Sequence, residues 1–337
     1  MVDWAAGYTA SWRVMRVNPV TWADEEELPG VTSISVERTN EQLRESGSAE
    51  VTLDVGEDFP ETWCRIEMLA TQGAESQRVA LATLQMAPTD SDPARGREAV
   101  TLEGRSVLAP ASDEVLLAGT YAPKGADGAA HAARMLSCCN APVIVHGSFT
   151  LGDHVVFAGG TTRLEAAWML LDAANWTIVI DGDGTINVMP KPTEPTLDLD
   201  AANVRMLITV PKREFEVFSI KNRYIAVMDD QQAIAVNDDP DDPTSYARRG
   251  RYVDEYEENP TLIDGENLQA YANRRLSELS KSTESKSYDR EWWPNVTIDS
   301  IVRGGIASVR MVGDLRVTNQ TLSCGRGVVV TEVAEVI

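Results

Sequence analysis

The stretch best suited to chemistry is TIVIDGDGTINVMP, Thr177–Pro190, where Asp181 and Asp183 alternate with Gly182 and Gly184 and Ile186 follows. This is how the middle of a calcium-binding EF-hand loop reads. With Gly184 at the glycine position, Asp183 and Asp181 fall on ligand positions. The first ligand position then holds Val179 and the last holds Pro190, and neither supplies a carboxylate. The flanks are β-branched runs where helices are required, so a hairpin tip is the expectation. The histidines, His131, His146 and His154, include no pair one helical turn apart, which argues against zinc. No G-x-S-x-G occurs, and VHGSFTLGDH (145–154) reads as strand, turn, strand. Phosphate-cradling glycine loops are absent. Carboxylate pairs abound and single out no dyad; the acidic runs at 23–30 and 252–260 read as solvated loops. Trp292-Trp293 before Pro294 could be a carbohydrate-stacking platform, but an aromatic anchor between domains or subunits is the stronger expectation. Cys64, Cys138, Cys139 and Cys324 read as small buried thiols of a reducing compartment. No catalytic, cofactor-binding or metal-ligating residue is assigned, and no cofactor is implied.

The chain of 337 residues carries 52 acidic and 30 basic side chains, a formal charge of −22. Such a surface repels nucleic acid phosphates and disfavours duplex binding. The N-terminus lacks a basic segment followed by an apolar core, so no secretory signal is expected. No apolar run reaches the ~20 residues of a spanning helix, so stable membrane insertion is not expected. Arginine in preference to lysine, with much alanine and valine, suggests GC-rich bacterial coding. The length favours several domains.

Six segments alternate apolar and polar residues: 11–17, 31–38, 48–55, 63–69, 78–86 and 98–104. Period two with turns between them predicts antiparallel strands in a small barrel or sandwich. Helical spacing then appears at 126–139 and at 161–175, the second capped by Thr161 or Thr162 with Glu165 near its start. Residues 189–200, with three prolines, read as an extended linker. Strands resume near Glu216, with two runs pairing across 229–231. A polar loop follows, then a helix at 264–282 capped by Asp264, then strands to the end. The fold class is mainly β with α/β inserts, and the first and last β sections could be duplicates.

From TLEGRSVLAPASDEVL (101–116) onward this order resembles the baseplate or tail-tip hub proteins of tailed bacteriophages, including the hub portion of tail-associated lysins. The resemblance lies in ARML (133–136) and FAGGTTRLEAAWMLLDAANWTIVIDGDGTINVMP (157–190). It continues in AVNDDPDDPTSYARRGRYVDEYEENP (235–260) and LQAYANRRLSELS (268–280). It implies two tube-like β-barrels and two smaller α/β domains. The expected boundaries are 1–110 (first barrel), 111–200 (α/β insert), 201–236 with 284–337 (second barrel) and 237–283 (helix-bearing insert). It also implies a homotrimeric ring that adapts a sixfold tail to a threefold tip, with an acidic lumen letting genomic DNA slide past unbound. Expected partners are a distal tail protein, a tape measure and tail-tip or fibre proteins, in a virion tail tip assembled in the host cytoplasm. No lysin or receptor-binding domain is expected after Ile337, and no enzyme activity. The alternatives are a cell-wall glycan- or peptidoglycan-processing enzyme and the hub of a tail-derived injection machine.

Overall fold

The computed structural model describes residues 2–54, 59–94, 97–200, 206–215, 218–280, 284–325 and 327–337. The alternating segments up to Arg105 form β1 (Thr9–Val17), β2 (Asp24–Glu27), β3 (Val31–Thr39), β4 (Glu45–Asp54), β5 (Thr62–Gln72), β6 (Glu75–Ala94) and β7 (Arg97–Arg105). Every expected strand is present. The added one, β2, lies in an acidic run expected to be a loop, and all its side chains are exposed. It buries nothing and is held by main-chain pairing to β1 and by ion pairs such as Arg16–Glu26 at 2.9 Å. Inward residues such as Val36, Val51, Ile66 and Leu84 form the core of this unit.

The next unit holds α1 (Ala109–Asp113), β8 (Tyr121–Ala122), α2 (Gly128–Met135), β9 (Val143–Val145), β10 (Val155–Val156), α3 (Arg163–Ala173), β11 (Trp176–Ile180) and β12 (Ile186–Pro190). Thr162 caps α3 in a reciprocal box with Glu165, satisfying two otherwise orphaned amides. Leu164, Ala167, Trp168 and Leu171 are buried as their spacing predicted, and so are Ala166 and Leu170. The helix is therefore covered on more than one face. β11 and β12 are a hairpin, with β9 parallel to β12.

The proline-marked linker is partly a strand. β13 (Pro195–Leu199) pairs in parallel with β19 (Ile301–Ile306), burying Leu197 and Leu199. β14 (Lys212–Phe215) follows. Glu216 and Val217, where the next strand was expected to begin, lie outside the described residues. β15 (Arg223–Met228) and β16 (Gln231–Val236) pair across Asp229–Asp230. They do not join the large sheet, as the placement of 201–236 in the second barrel required. They form their own sheet with β17 (Asp254–Glu258), and α5 (Leu268–Leu279) covers one face through Tyr271, Ala272 and Leu276. β17 is the second acidic run expected as a loop; its alternation sends Glu257 inward to Tyr224 and Tyr271. α4 (Tyr246–Arg249) sits in the preceding loop. Asn267, not Asp264, caps α5, because Gly265 at φ +80° turns the chain before the helix starts.

β18 (Glu284–Glu291), β20 (Met311–Cys324) and β21 (Val328–Val336) complete the large sheet. Its order is β14-β18-β21-β20-β3-β4-β7-β6-β5-β1-β2, with β19 and β13 branching from β20. In the described residues this order runs from edge to edge and does not close. It divides into two β units of like topology. β3-β4-β7-β6-β5-β1 has its counterpart, strand for strand and in the same chain order, in β14-β18-β21-β20-β19-β13. One departure is that β1 is antiparallel to β5 whereas β13 is parallel to β19. The correspondence extends to single residues. β6 bulges at Thr89, whose hydroxyl donates to Thr101 O at 3.2 Å. β20 bulges at Thr318, whose hydroxyl donates to Val333 O at 3.2 Å. The helix-bearing insert occupies the place of the short β3–β4 connection.

Candidate functional site

The polar residues that converge do so at the junction where the units meet. The β20–β3 pairing joins the two β units, and one register row across it is buried and polar: Tyr288, Glu332, Gln320, Arg38 and Glu45. Arg38 Nε donates to Glu45 Oε1 at 2.6 Å and its Nη1 to Gln320 Oε1 at 2.8 Å. Gln320 Nε2 donates to Glu332 Oε1 at 2.8 Å, and the fully buried Arg290 pairs with the same carboxylate. Burial pushes the Glu45 carboxyl up, with Arg38 opposing, and pushes the Tyr288 phenol well up. The Arg290 guanidinium is disfavoured by burial but held above its ordinary value by Glu332. Unpaired, such charges would cost several kcal/mol each; the row is tolerable only as a connected network.

Beside it, three units share one node. Arg44, from the β3–β4 turn at φ +63°, donates through Nη2 to Thr177 Oγ1 of β11 and to Asp299 Oδ2 at 3.0 Å. Thr177 Oγ1 donates to the same carboxylate at 2.6 Å. The Arg44 guanidinium lies 4.6 Å from the Trp168 ring centroid, and Trp168 Nε1 donates to Gln42 O at 3.0 Å. Burial lowers the Arg44 pKa, against the pull of Asp299 and Asp172.

The Asp181–Gly184 turn is the tip of the β11–β12 hairpin, and it is a docking device. Trp22 Nε1 donates to Asp183 O at 2.8 Å, Arg65 Nη2 to the same carbonyl at 3.1 Å, and Thr83 Oγ1 to Gly182 O at 3.0 Å. Asp183 Oδ1 accepts from Thr185 N at 2.9 Å and Asp181 Oδ2 from Asn187 Nδ2 at 2.9 Å, so both carboxylates brace the turn. Only Gly184 has positive φ, +86°; Gly182 is required for a different reason. A Cβ there would sit 1.9 Å from Ala80 O of β6.

Trp292 and Trp293 divide between two cores. Trp292 packs edge-on to Trp4 in the first unit, while Trp293 lies against the second. The interdomain anchor is therefore observed, and a buried Trp292 is a poor sugar platform. The insert and the helix-bearing unit meet through Gly152 N to Leu262 O at 2.8 Å and Arg274 Nη2 to Ala173 O at 2.7 Å. A cleft of about 320 Å³ between them is lined by Trp168, Asp172, Glu257, Tyr271 and Arg275. Its groups are already partnered: the Tyr271 phenol, and that of Tyr224 behind it, donate to Glu257, and Arg275 pairs with Glu278 at 2.8 Å. His146 Nε2 faces Asn187 Oδ1 at 2.8 Å, and His131 contacts Arg134. Among the described residues no cluster of His, Cys, Asp and Glu is arranged to hold a metal, and no helix is long and apolar enough to cross a membrane. What the junction can do is fix the relative placement of the two β units and the α/β insert. Sequence reasoning missed Arg38, Gln320 and Glu332, whose only local signal is a charged or amide residue at an inward position of an apolar strand, and Arg44, which lies in a turn and carries no such signal.

No family model and no curated protein matches the sequence. Solved structures do. The 43 kDa tail protein of prophage MuSo2 from Shewanella oneidensis superposes with a TM-score of 0.67 at 12% identity, covering 97% of this chain and 98% of that one. The tail protein from Neisseria meningitidis MC58 gives 0.68 at 13% identity, with 98% and 96% covered. The E. coli c3393 protein gives 0.50 at 10% identity, with 91% and 74% covered. It is described as a type VI secretion system component structurally similar to the T4 tail proteins gp27 and gp5. Matches that span both chains nearly end to end show that this protein has the fold of prophage tail proteins.

Proposed function

We propose that the chain is a structural hub of a phage tail tip or baseplate, whose work is done by sheet-to-sheet interfaces and not by a reacting group. The observation that carries this reading is the duplicated β unit, fused into one continuous sheet through the β20–β3 pairing. A chain with two like units side by side presents two near-equivalent positions on a ring, so three copies offer six. That is how a trimer meets a sixfold tail. The division we propose is a first tube-like unit to about 110, an α/β insert to about 192, a second tube-like unit from 195 to 215 and 284 to 337, and a helix-bearing insert between its halves. With a charge of −22 per chain, a ring would repel DNA and let it pass without adhesion. Its neighbours would be the tail proteins stacked above and below, in a virion assembled inside the host.

The test is to tag the chain and image the particles. Label at the tail tip is the expected result; label absent from tails overturns the reading. A second reading, a hub of a tail-derived injection machine, is favoured by the likeness to the E. coli secretion component. It predicts that disrupting the gene abolishes contact-dependent delivery and leaves no plaque phenotype. Peptidoglycan release by the purified chain would instead revive the enzyme alternative.

A further inference from the structure

Between the buried polar row and the Arg44 node lies a small cavity of about 10 Å³. The β11 segment Ile178–Ile180 and the pair Thr297–Ile298 wall it, and three charged side chains, Arg38, Arg44 and Glu45, complete the lining. Each of the three is at most 5% exposed. Every nitrogen of the Arg38 guanidinium donates: Nε to Glu45 Oε1, Nη1 to Gln320 Oε1 and Nη2 to Leu81 O. The other two side chains are only half used. Arg44 gives Nη2 to Thr177 and Asp299 and lays its face on Trp168. Among the described residues its Nε and Nη1 meet no acceptor, and Glu45 Oε2 meets no donor. The ion-pair partner of Arg44 is Asp299 and that of Glu45 is Arg38, so the two orphaned groups do not pair with each other. Buried donors and acceptors left in this state are costly, and native interiors rarely keep them.

We propose that this cavity is a binding site for a single water molecule, which accepts a hydrogen bond from the Arg44 guanidinium and donates one to Glu45 Oε2. The volume matches the ~10–15 Å³ that the centre of one water requires. The chemistry selects water over an ion. Arg44 repels a cation and Glu45 an anion, and the charges of Arg38, Arg44, Glu45 and Asp299 sum to zero. Water both accepts and donates, which is what one orphaned donor set facing one orphaned acceptor demands. Its place makes the row and the node a single network. The chain of bonds then runs from Glu332 through Gln320, Arg38 and Glu45 to Arg44, Asp299 and Thr177, tying the β20–β3 junction to β11 of the insert.

The full chain is crystallised at a resolution that shows ordered water, once from chloride and once from bromide. One density peak is expected, ~2.7–3.2 Å from an Arg44 nitrogen and from Glu45 Oε2, with no anomalous signal in the bromide crystal. A bromide peak at that point, a direct Arg44–Glu45 bond, or no density between the two groups overturns the assignment. In solution, oxygen-17 relaxation dispersion counts long-lived internal waters. Val179→Ile adds a carbon to the cavity wall and is expected to lose one such water relative to the native chain. Thr297→Ile fills the same space from the opposite wall and replaces it if Val179→Ile lacks the native circular dichroism. An unchanged count in a folded filling variant overturns the proposal.

Discussion

Gly182 shows how much one missing methyl can decide. It has an ordinary backbone conformation, so its role is room for Ala80 O, not turn geometry. Gly182→Ala should lift the hairpin tip off β5 and β6 and cost about 1–3 kcal/mol, the usual penalty for overpacking a filled site. Urea denaturation would measure it, and an unchanged midpoint would remove the docking role. The adjacent carboxylates are occupied by Thr185 N and Asn187 Nδ2. Millimolar calcium should therefore leave the melting temperature unmoved, in the native chain and in Asp181→Asn/Asp183→Asn alike. In the buried row, Glu332→Ala would leave the Arg290 charge without its carboxylate and remove the acceptor that Arg290 and Gln320 share. Breaking a buried pair from one side costs about 3–5 kcal/mol, which would appear as a large loss of unfolding free energy. Asp172 makes a pH prediction. Burial raises its pKa, against Lys191 and Arg275, so the folded state holds a proton that the unfolded state releases. Its contribution to stability is present below the ordinary carboxylate range and declines as pH rises through the raised value. Asp172→Asn should flatten that part of the stability–pH curve.

At the scale of elements, the strands were legible wherever alternation met burial, and α3 was legible to within one residue of its cap, the structure choosing Thr162 over Thr161 and adding the reciprocal bond to Glu165. The misses share a cause. β2 and β17 are strands of charged residues, formed because a neighbour's backbone offers pairing, and no local pattern announces that. β13 hides among prolines because it lies on an edge, where a missing amide costs little. The junction was illegible for a plainer reason: Arg38 and Gln320 are separated by 282 positions, and Arg44 and Asp299 by 255. Arg38 by itself is one arginine on a strand; only the fold supplies its partners. The large insertion in the second unit carries its own test. Phe215 and Glu284 are register partners, so the chain leaves and re-enters the sheet at adjacent points. Replacing 216–283 with the five-residue connection Asn40–Arg44 should leave a folded chain with native-like strand content by circular dichroism. A chain without cooperative unfolding would show that the insert is needed to hold the halves together.

At the scale of the molecule, three cores are tied by a shared sheet, a shared buried node and a docked hairpin tip, and the fourth, in the helix-bearing unit, joins the insert through Gly152 N to Leu262 O and Arg274 to Ala173 O. Arg44→Ala removes the node and, of the cores, uncovers only the Trp168 ring of the insert. It should lower the unfolding midpoint and make unfolding less cooperative, the units separating before each melts. Calorimetry would resolve this as a broadened or split transition. A single sharp peak at the native temperature would mean the node is dispensable.

β20 runs for 14 residues and belongs to both β units, paired to β21 from Leu315 onward, to β19 early and to β3 late. A tensile load directed along such a strand meets its ladder of bonds side-on, and they must fail together. The β15–β16 hairpin, pulled at its open end, would peel one bond at a time. The molecule therefore has a stiff spine and a yielding appendage, and a force applied to it would reach the helix-bearing insert's weak points long before it parted the two β units.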